Sequence, residues 1–193
     1  MTTKPLIDYF EKLLPLDEDE KLSVEEVFKE RRIKRKQFIL QEGDICNKNT
    51  FIVEGCFRMY MVDDKGKEHN LQFAVENWWI GDLGSFHSEK PSKLNVEAME
   101  NSIILQCNKE DQIRLFVTYP KFNRIFRVLA ENAMVSMQNR ILQNISSTAE
   151  ERYLDFVERY PHFFNRISNV QIASYLGVTP EFLSSIRRRI VES

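Results

Sequence analysis

Apolar residues recur along this chain with two different periods, and the change from one to the other and back marks its parts. Leu6, Ile7, Phe10, Leu13 and Leu14 share one face of a helix that Pro15 ends. A second short helix is predicted over 19–28, running into a basic stretch at 29–36. That stretch is expected to be a solvated face and the start of a strand rather than a nucleic-acid patch. In the middle, the pattern turns to short β-rich pieces at 37–40, 50–53, 56–62, 69–74, 79–80, 95–98 and 102–107. Turn signals separate them, among them Glu42-Gly43-Asp44, Glu54-Gly55 and Asp64-Lys65-Gly66. Sheets of this kind hide their edges by stacking or closing, which favours a jelly roll.

Helical periodicity returns from Lys109. After Pro120, the residues Phe122, Ile125, Phe126, Leu129, Ala133, Met137, Ile141 and Ile145 form one apolar stripe, without a glycine or proline to interrupt it. Two surfaces compete for such a stripe: the β-roll behind it and a partner helix in front. Asn132, Ser136, Arg140 and Asn144 lie on an adjoining polar line. The expectation is a dimerisation helix of coiled-coil type, with Phe122, Ile125, Leu129, Asn132, Ser136 and Arg140 at the interface. A further amphipathic helix is predicted over 148–160, carrying Tyr153, Leu154, Phe156 and Val157.

The segment 169–190 reads as a helix-turn-helix. Ile172, Ala173 and Leu176 form an apolar face, and Ala173 is small enough for two helices to cross closely. Gly177 suits the positive φ of a tight turn. Val178 plugs the corner, and Thr179 is a good N-cap with Pro180 at the first helical position. Leu183 and Ile186 return to the core, and Arg187, Arg188 and Arg189 supply a cationic cluster. Two core helices joined by a glycine turn would explain part of this pattern, but not all of these positions together. Candidate DNA contacts are Thr179, Glu181, Ser184, Ser185, Arg187 and Arg188, with Arg188 meeting phosphate and Glu181 a cytosine amino group.

Composition narrows the classes. Fourteen phenylalanines in 193 residues speak for filled cores and against disorder. The net charge of −2 excludes a wholly basic surface, but a local patch is sufficient for DNA. The three cysteines show neither metal-ligand spacing nor a disulfide framework, so reduced thiols are expected. No segment reads as a membrane span or signal peptide, so a cytoplasmic protein is expected. A metalloenzyme would need converging histidines, whereas His69, His87 and His162 are scattered and only His69 falls in a predicted strand. No catalytic residue, metal site or enzymatic activity is expected. The fold class is α+β, divided as a β-roll with N-terminal helices (1–120), a dimerisation helix (121–146) and a helix-turn-helix domain (147–193).

This order of parts, with Gln41-Glu42-Gly43-Asp44, Phe51-Ile52-Val53-Glu54-Gly55, the hairpin Asp63-Asp64-Lys65-Gly66-Lys67-Glu68 and Trp79-Ile80-Gly81-Asp82-Leu83-Gly84-Ser85-Phe86, resembles the Crp–Fnr family of bacterial transcription regulators. The resemblance covers about residues 20–190. It implies a cyclic-nucleotide-binding-like double-stranded β-helix and a homodimer that binds a near-palindromic operator in double-stranded DNA. It also implies contact with RNA polymerase and a small effector held in the roll at Gly81, Asp82, Leu83, Ser92 and Lys93.

The departures from the family pattern are as informative. Where nucleotide-binding members carry a glutamate for the ribose, this chain has Asp82. Where they carry the phosphate-binding arginine, counting forward gives Ser92, with Lys93 beside it. Serine cannot replace a bidentate guanidinium, so tight cyclic AMP or GMP binding is not expected and the cofactor is left unnamed. Pro180 stands where familiar members carry a guanine-reading arginine, so a different operator is expected. The sequence ends at Ser193, where members continue into a β-hairpin wing, and a domain lacking most of the wing is expected. A sensor or adaptor with a vestigial helix-turn-helix is the alternative.

Overall fold

The computed structural model describes residues 2–163 and 166–192. Its strands are β1 (Lys29–Ile33), β2 (Phe38–Leu40), β3 (Lys48–Glu54), β4 (Phe57–Val62), β5 (Glu68–Ala74), β6 (Trp79–Ile80), β7 (Asn95–Ala98) and β8 (Ser102–Asn108). They pair antiparallel in two four-stranded sheets, ordered β1-β8-β3-β6 and β2-β7-β4-β5. Alternation sends Ile33, Leu40, Ile52, Phe57, Ile80, Val96 and Ile104 between the sheets, where they form the roll interior. The chain passes from one sheet to the other at Gly55, with φ +115°. A Cβ there would lie 2.4 Å from the Ser102 Cβ, so only glycine permits this close approach.

Eight helices are described: α1 (Lys4–Glu11), α2 (Glu18–Val27), α3 (Leu83–Ser88), α4 (Lys109–Thr118), α5 (Lys121–Ser146), α6 (Ala149–Arg159), α7 (Asn169–Leu176) and α8 (Pro180–Glu192). Capping explains several of their starts. Asp17 with Glu20, Thr148 with Glu151 and Ser168 with Gln171 form reciprocal capping boxes for α2, α6 and α7.

The outer faces of the two sheets are covered by different parts of the chain. On the first, Phe51, Leu105 and Cys107 pack against Leu6, Phe10, Val24, Phe28, Leu115, Phe122 and Ile125 from α1, α2, α4, α5 and the end of α2. On the second, Cys56 and Phe73 pack against Tyr153, Phe156, Phe163, Ile167, Ile172 and Ala173 from the C-terminal helices. The helix-turn-helix is thus seated on the roll.

One expectation is met here and one needs correction. The basic stretch at 29–36 is a largely exposed face that opens as a strand, Lys29–Ile33, paired with β8 from Lys29↔Gln106 to Ile33↔Ser102. Phe122 and Ile125 are fully buried against the chain's own helices and roll, so they have no surface to offer a partner. Leu129, partly buried, packs on the same cluster. The apolar stripe is therefore divided along its length, and its outer part, Ala133, Met137, Ile141 and Ile145, is exposed.

Candidate nucleic-acid interface and the roll cavity

The helix-turn-helix is built as its apolar spacing requires. Ile172, Ala173, Leu176, Leu183 and Ile186 are buried together. Gly177 takes φ +71° at the turn, and the Val178 N–H donates to the Ala173 carbonyl at 3.0 Å. The Thr179 hydroxyl accepts from the Phe182 N–H at 3.2 Å, capping α8. Turning Leu183 and Ile186 inward leaves Glu181, Ser184, Ser185 and Arg188 exposed, at the i, i+3, i+4, i+7 positions of one face. Thr179 is exposed at the start of the same helix. Glu181, four residues before Ser185 and in the first turn, also suits the helix dipole.

The three arginines separate. Arg189 pairs with Glu150 at 3.4 Å. Arg187, half-buried, donates to the Asn169 side-chain oxygen of α7. Arg188 is exposed and makes no ion pair or hydrogen bond to any described residue. Of the cationic cluster, it is the group left to meet a phosphate.

In the roll, Asp82 caps α3, its Oδ1 accepting from the Ser85 N–H at 3.0 Å. Its Oδ2 accepts from the Ser92 hydroxyl at 2.7 Å. Ser92, 2% exposed, also accepts from the Leu94 N–H at 2.9 Å. The residues at the ribose and phosphate positions of the family's cassette thus bond to one another. Lys93 and Leu83 are exposed, and Gly81 borders a cavity of about 90 Å³ between the sheets. No arginine stands in the cassette itself.

The polar line on α5 also departs from a dimer contact at one residue. Asn132 and Ser136 are exposed, but the Arg140 guanidinium lies 4.0 Å over the Tyr175 ring. It donates to the carbonyls of Leu71, Asn70 and Tyr175, so Arg140 is a joint within the chain. Edge strand β5 is covered by α7: the Ser174 hydroxyl accepts from the Asn70 N–H at 3.1 Å and donates to the Glu68 carbonyl at 2.9 Å. Arg166 clamps Glu76 through two bonds of 2.9 Å and reaches Glu100 as well. Burial works against the Glu76 carboxylate, yet Arg166 and the Gly55 N–H hold its pKa below the ordinary value. Spacing carries no signal for these contacts, because Glu76 and Arg166 are 90 residues apart.

His69 Nε2 lies 2.8 Å from Asp63 Oδ2 in the β4–β5 hairpin, and that hydrogen bond, with the Lys67 and Lys65 N–H groups, holds the Asp63 pKa down to about 2. His87 is exposed, and the side chain of His162 lies outside the described residues. Cys46, Cys56 and Cys107 are buried free thiols, and burial pushes the pKa of Cys56 and Cys107 up to about 12. Among the described residues no helix is long and apolar enough to cross a membrane.

Comparison with known proteins agrees with this geometry. Residues 30–119 match the cyclic nucleotide-binding domain family. Over 193 aligned residues the chain is 21% identical to the transcriptional activator protein Anr of Pseudomonas protegens, covering 93% of this chain and 78% of Anr. FixK2 from Bradyrhizobium japonicum superposes with a TM-score of 0.75 at 17% identity, over 86% of this chain and 85% of FixK2. The c-di-GMP-responsive global regulator CLP of Xanthomonas campestris gives a TM-score of 0.73 at 12% identity, over 91% and 92% of the two chains. The class is that of a cyclic-nucleotide-binding-type roll joined to a helix-turn-helix. Over residues 30–119 the chain matches the cyclic nucleotide-binding domain family, and its fold as a whole is similar to those of FixK2 and CLP.

Proposed function

We propose that the protein is a DNA-binding transcription regulator that acts as a homodimer. The observation that carries this is the exposed face of α8: Glu181, Ser184, Ser185 and Arg188 project together, while Arg187 and Arg189 are held by the chain itself. Such a helix enters the major groove with its N-terminal part, and a cation two turns on meets the backbone. Glu181 accepts from a cytosine amino group, and the serines contact base edges or phosphate.

One recognition helix is a small contact, and dimerisation would supply the rest. Met134, Val135, Met137, Ile141, Leu142 and Ile145 crowd the far half of α5, each more than half exposed. A contiguous apolar surface of this kind marks a protein interface, and a second copy of the same helix is its natural cover. The effector domain would report to α8 through the joint at Arg140, Ser174 and Arg166, since these residues connect the roll directly to the helix-turn-helix. The closed Asp82–Ser92 pair supports a regulator that does not depend on cyclic AMP.

Titration of a selected DNA fragment at several salt concentrations tests the reading. Arg188→Ala should weaken binding to all sequences and flatten the log–log salt slope by about one. Glu181→Ala should instead relax selection at one base pair, by about 1–3 kcal/mol. Unchanged affinity and slope in Arg188→Ala would rule out this docking of α8.

A further inference from the structure

The roll cavity is lined by two cations, Arg31 and Lys48, and by no aspartate or glutamate. This is notable in a chain of net charge −2. Arg31 comes from β1, opposite the fully buried Ile104, so its side chain starts on the inner face of the sheet. Two other guanidiniums tucked against this roll meet carboxylates: Arg58 holds Glu68 and Glu97, and Arg166 holds Glu76 and Glu100. Arg31 has none. Its one bond to a described residue runs from Nη1 to the Gln106 Oε1 at 2.6 Å.

That bond is itself fixed from behind. Gln106, 5% exposed, donates its Nε2 to the Thr50 hydroxyl at 2.9 Å, and Thr50 is 3% exposed. The amide therefore presents its oxygen to Arg31, and the guanidinium is oriented by a buried relay. Four of its five N–H donors stay available. A cation positioned in this way, and left without a counter-charge, is what a bidentate carboxylate site requires. Ile39, Leu40, Ile80 and Val96 supply an apolar wall, and Asn47 is a further polar side chain at the lining. The cavity of about 90 Å³ is several times the roughly 10–15 Å³ that admits a single water, so it has room for a small molecule such as a carboxylate with a short tail.

We propose that the roll binds a short-chain carboxylate, its charge paired with Arg31 and its tail held against Ile39, Leu40, Ile80 and Val96. The cation comes from the first strand of the roll and not from the cassette at Asp82 and Ser92, so the ligand lies against the sheet containing β8. Calling that ligand an effector rests on the regulator reading; the binding site does not.

Calorimetry on the full-length protein at fixed ionic strength tests the site with sodium butyrate, butyramide and inorganic phosphate as probes. Butyrate should bind saturably, with a Kd of about 1 mM or tighter, and butyramide should bind at least about tenfold more weakly. Phosphate, which lacks the tail, should also be weaker. Arg31→Gln should lower butyrate affinity by about tenfold or more, and Arg31→Lys, which keeps the charge and loses the fork, should fall between. Equal binding of the amide, phosphate binding as tightly as butyrate, or no saturable heat from butyrate up to about 10 mM would overturn the proposal. The wild-type comparison of acid with amide decides the matter even if Arg31→Gln fails to fold. DNA binding by the same wild-type preparation reports on the regulator reading separately.

Discussion

Trp78 and Trp79 are neighbours in the chain and look onto opposite sides of the roll. Trp79 sits among Phe10, Phe28, Phe51 and Phe126, sealing the N-terminal helices and the first half of α5 to one sheet. Trp78 meets Tyr160 and Phe163, where the helix-turn-helix leans on the other sheet. Both contacts are aromatic, but their surroundings differ. The first face is almost wholly apolar, with Lys121 pairing Glu20 at its margin. The second is laced with directional contacts: Ser174 on the β5 edge, Arg140 on backbone carbonyls and Arg166 on two carboxylates. Water can replace bonds of that kind at small net cost. Separating the first face would expose a continuous apolar surface, whereas the second joins a buried apolar cluster around Cys56 and Phe73 to these exchangeable bonds. The contrast predicts that the first face is the fixed one and the second the local joint.

The comparison breaks most visibly at Phe122. Phe122→Ala removes a fully buried ring from the first face and should lower global stability by about 3–5 kcal/mol, read as the urea unfolding midpoint. A loss below about 1 kcal/mol would mean that this face is not the fixed one. Next in size is the far half of α5. Met137→Glu with Ile141→Glu should shift the protein from dimer to monomer in sedimentation, weakening association by roughly a hundredfold. Because both residues are exposed within one chain, thermal stability of the monomer should change little. Dimers of unchanged affinity would place the interface elsewhere.

The smallest expected effect, at the second face, is the one that sharpens the contrast. Arg166 and its partners are partly exposed, so Arg166→Gln should cost about 1 kcal/mol. Amide exchange should quicken in α7 while the sheet beneath Trp79 keeps its protection. Uniformly faster exchange through the roll would contradict a local joint.

Much of this was legible in the sequence where local chemistry and periodicity agree. Gly177, Thr179 and Pro180 punctuate the helix-turn-helix at the positions its core residues demand, and α5 spans the uninterrupted apolar stripe. The first strand was less legible because Lys29, Glu30, Arg31 and Arg32 hide its alternation, leaving Ile33 as the apolar marker. With that strand went the inward aim of Arg31. Periodicity identified the stripe on α5 but not how two surfaces would divide it, which depends on where the roll ends. Counting along the cassette located Ser92 at the arginine position. Its hydrogen bond to Asp82, 10 residues away, depends on the chain folding back after α3, which spacing does not reveal.

The most direct measurement is selection of genomic fragments by the purified protein at low and moderate salt. Enriched fragments should share two inverted half-sites centred about one helical turn, or 34–36 Å, apart, with binding that weakens steeply as salt rises. Retention of fragments without any shared sequence, or no salt-dependent retention at all, would contradict a dimeric DNA-reading regulator.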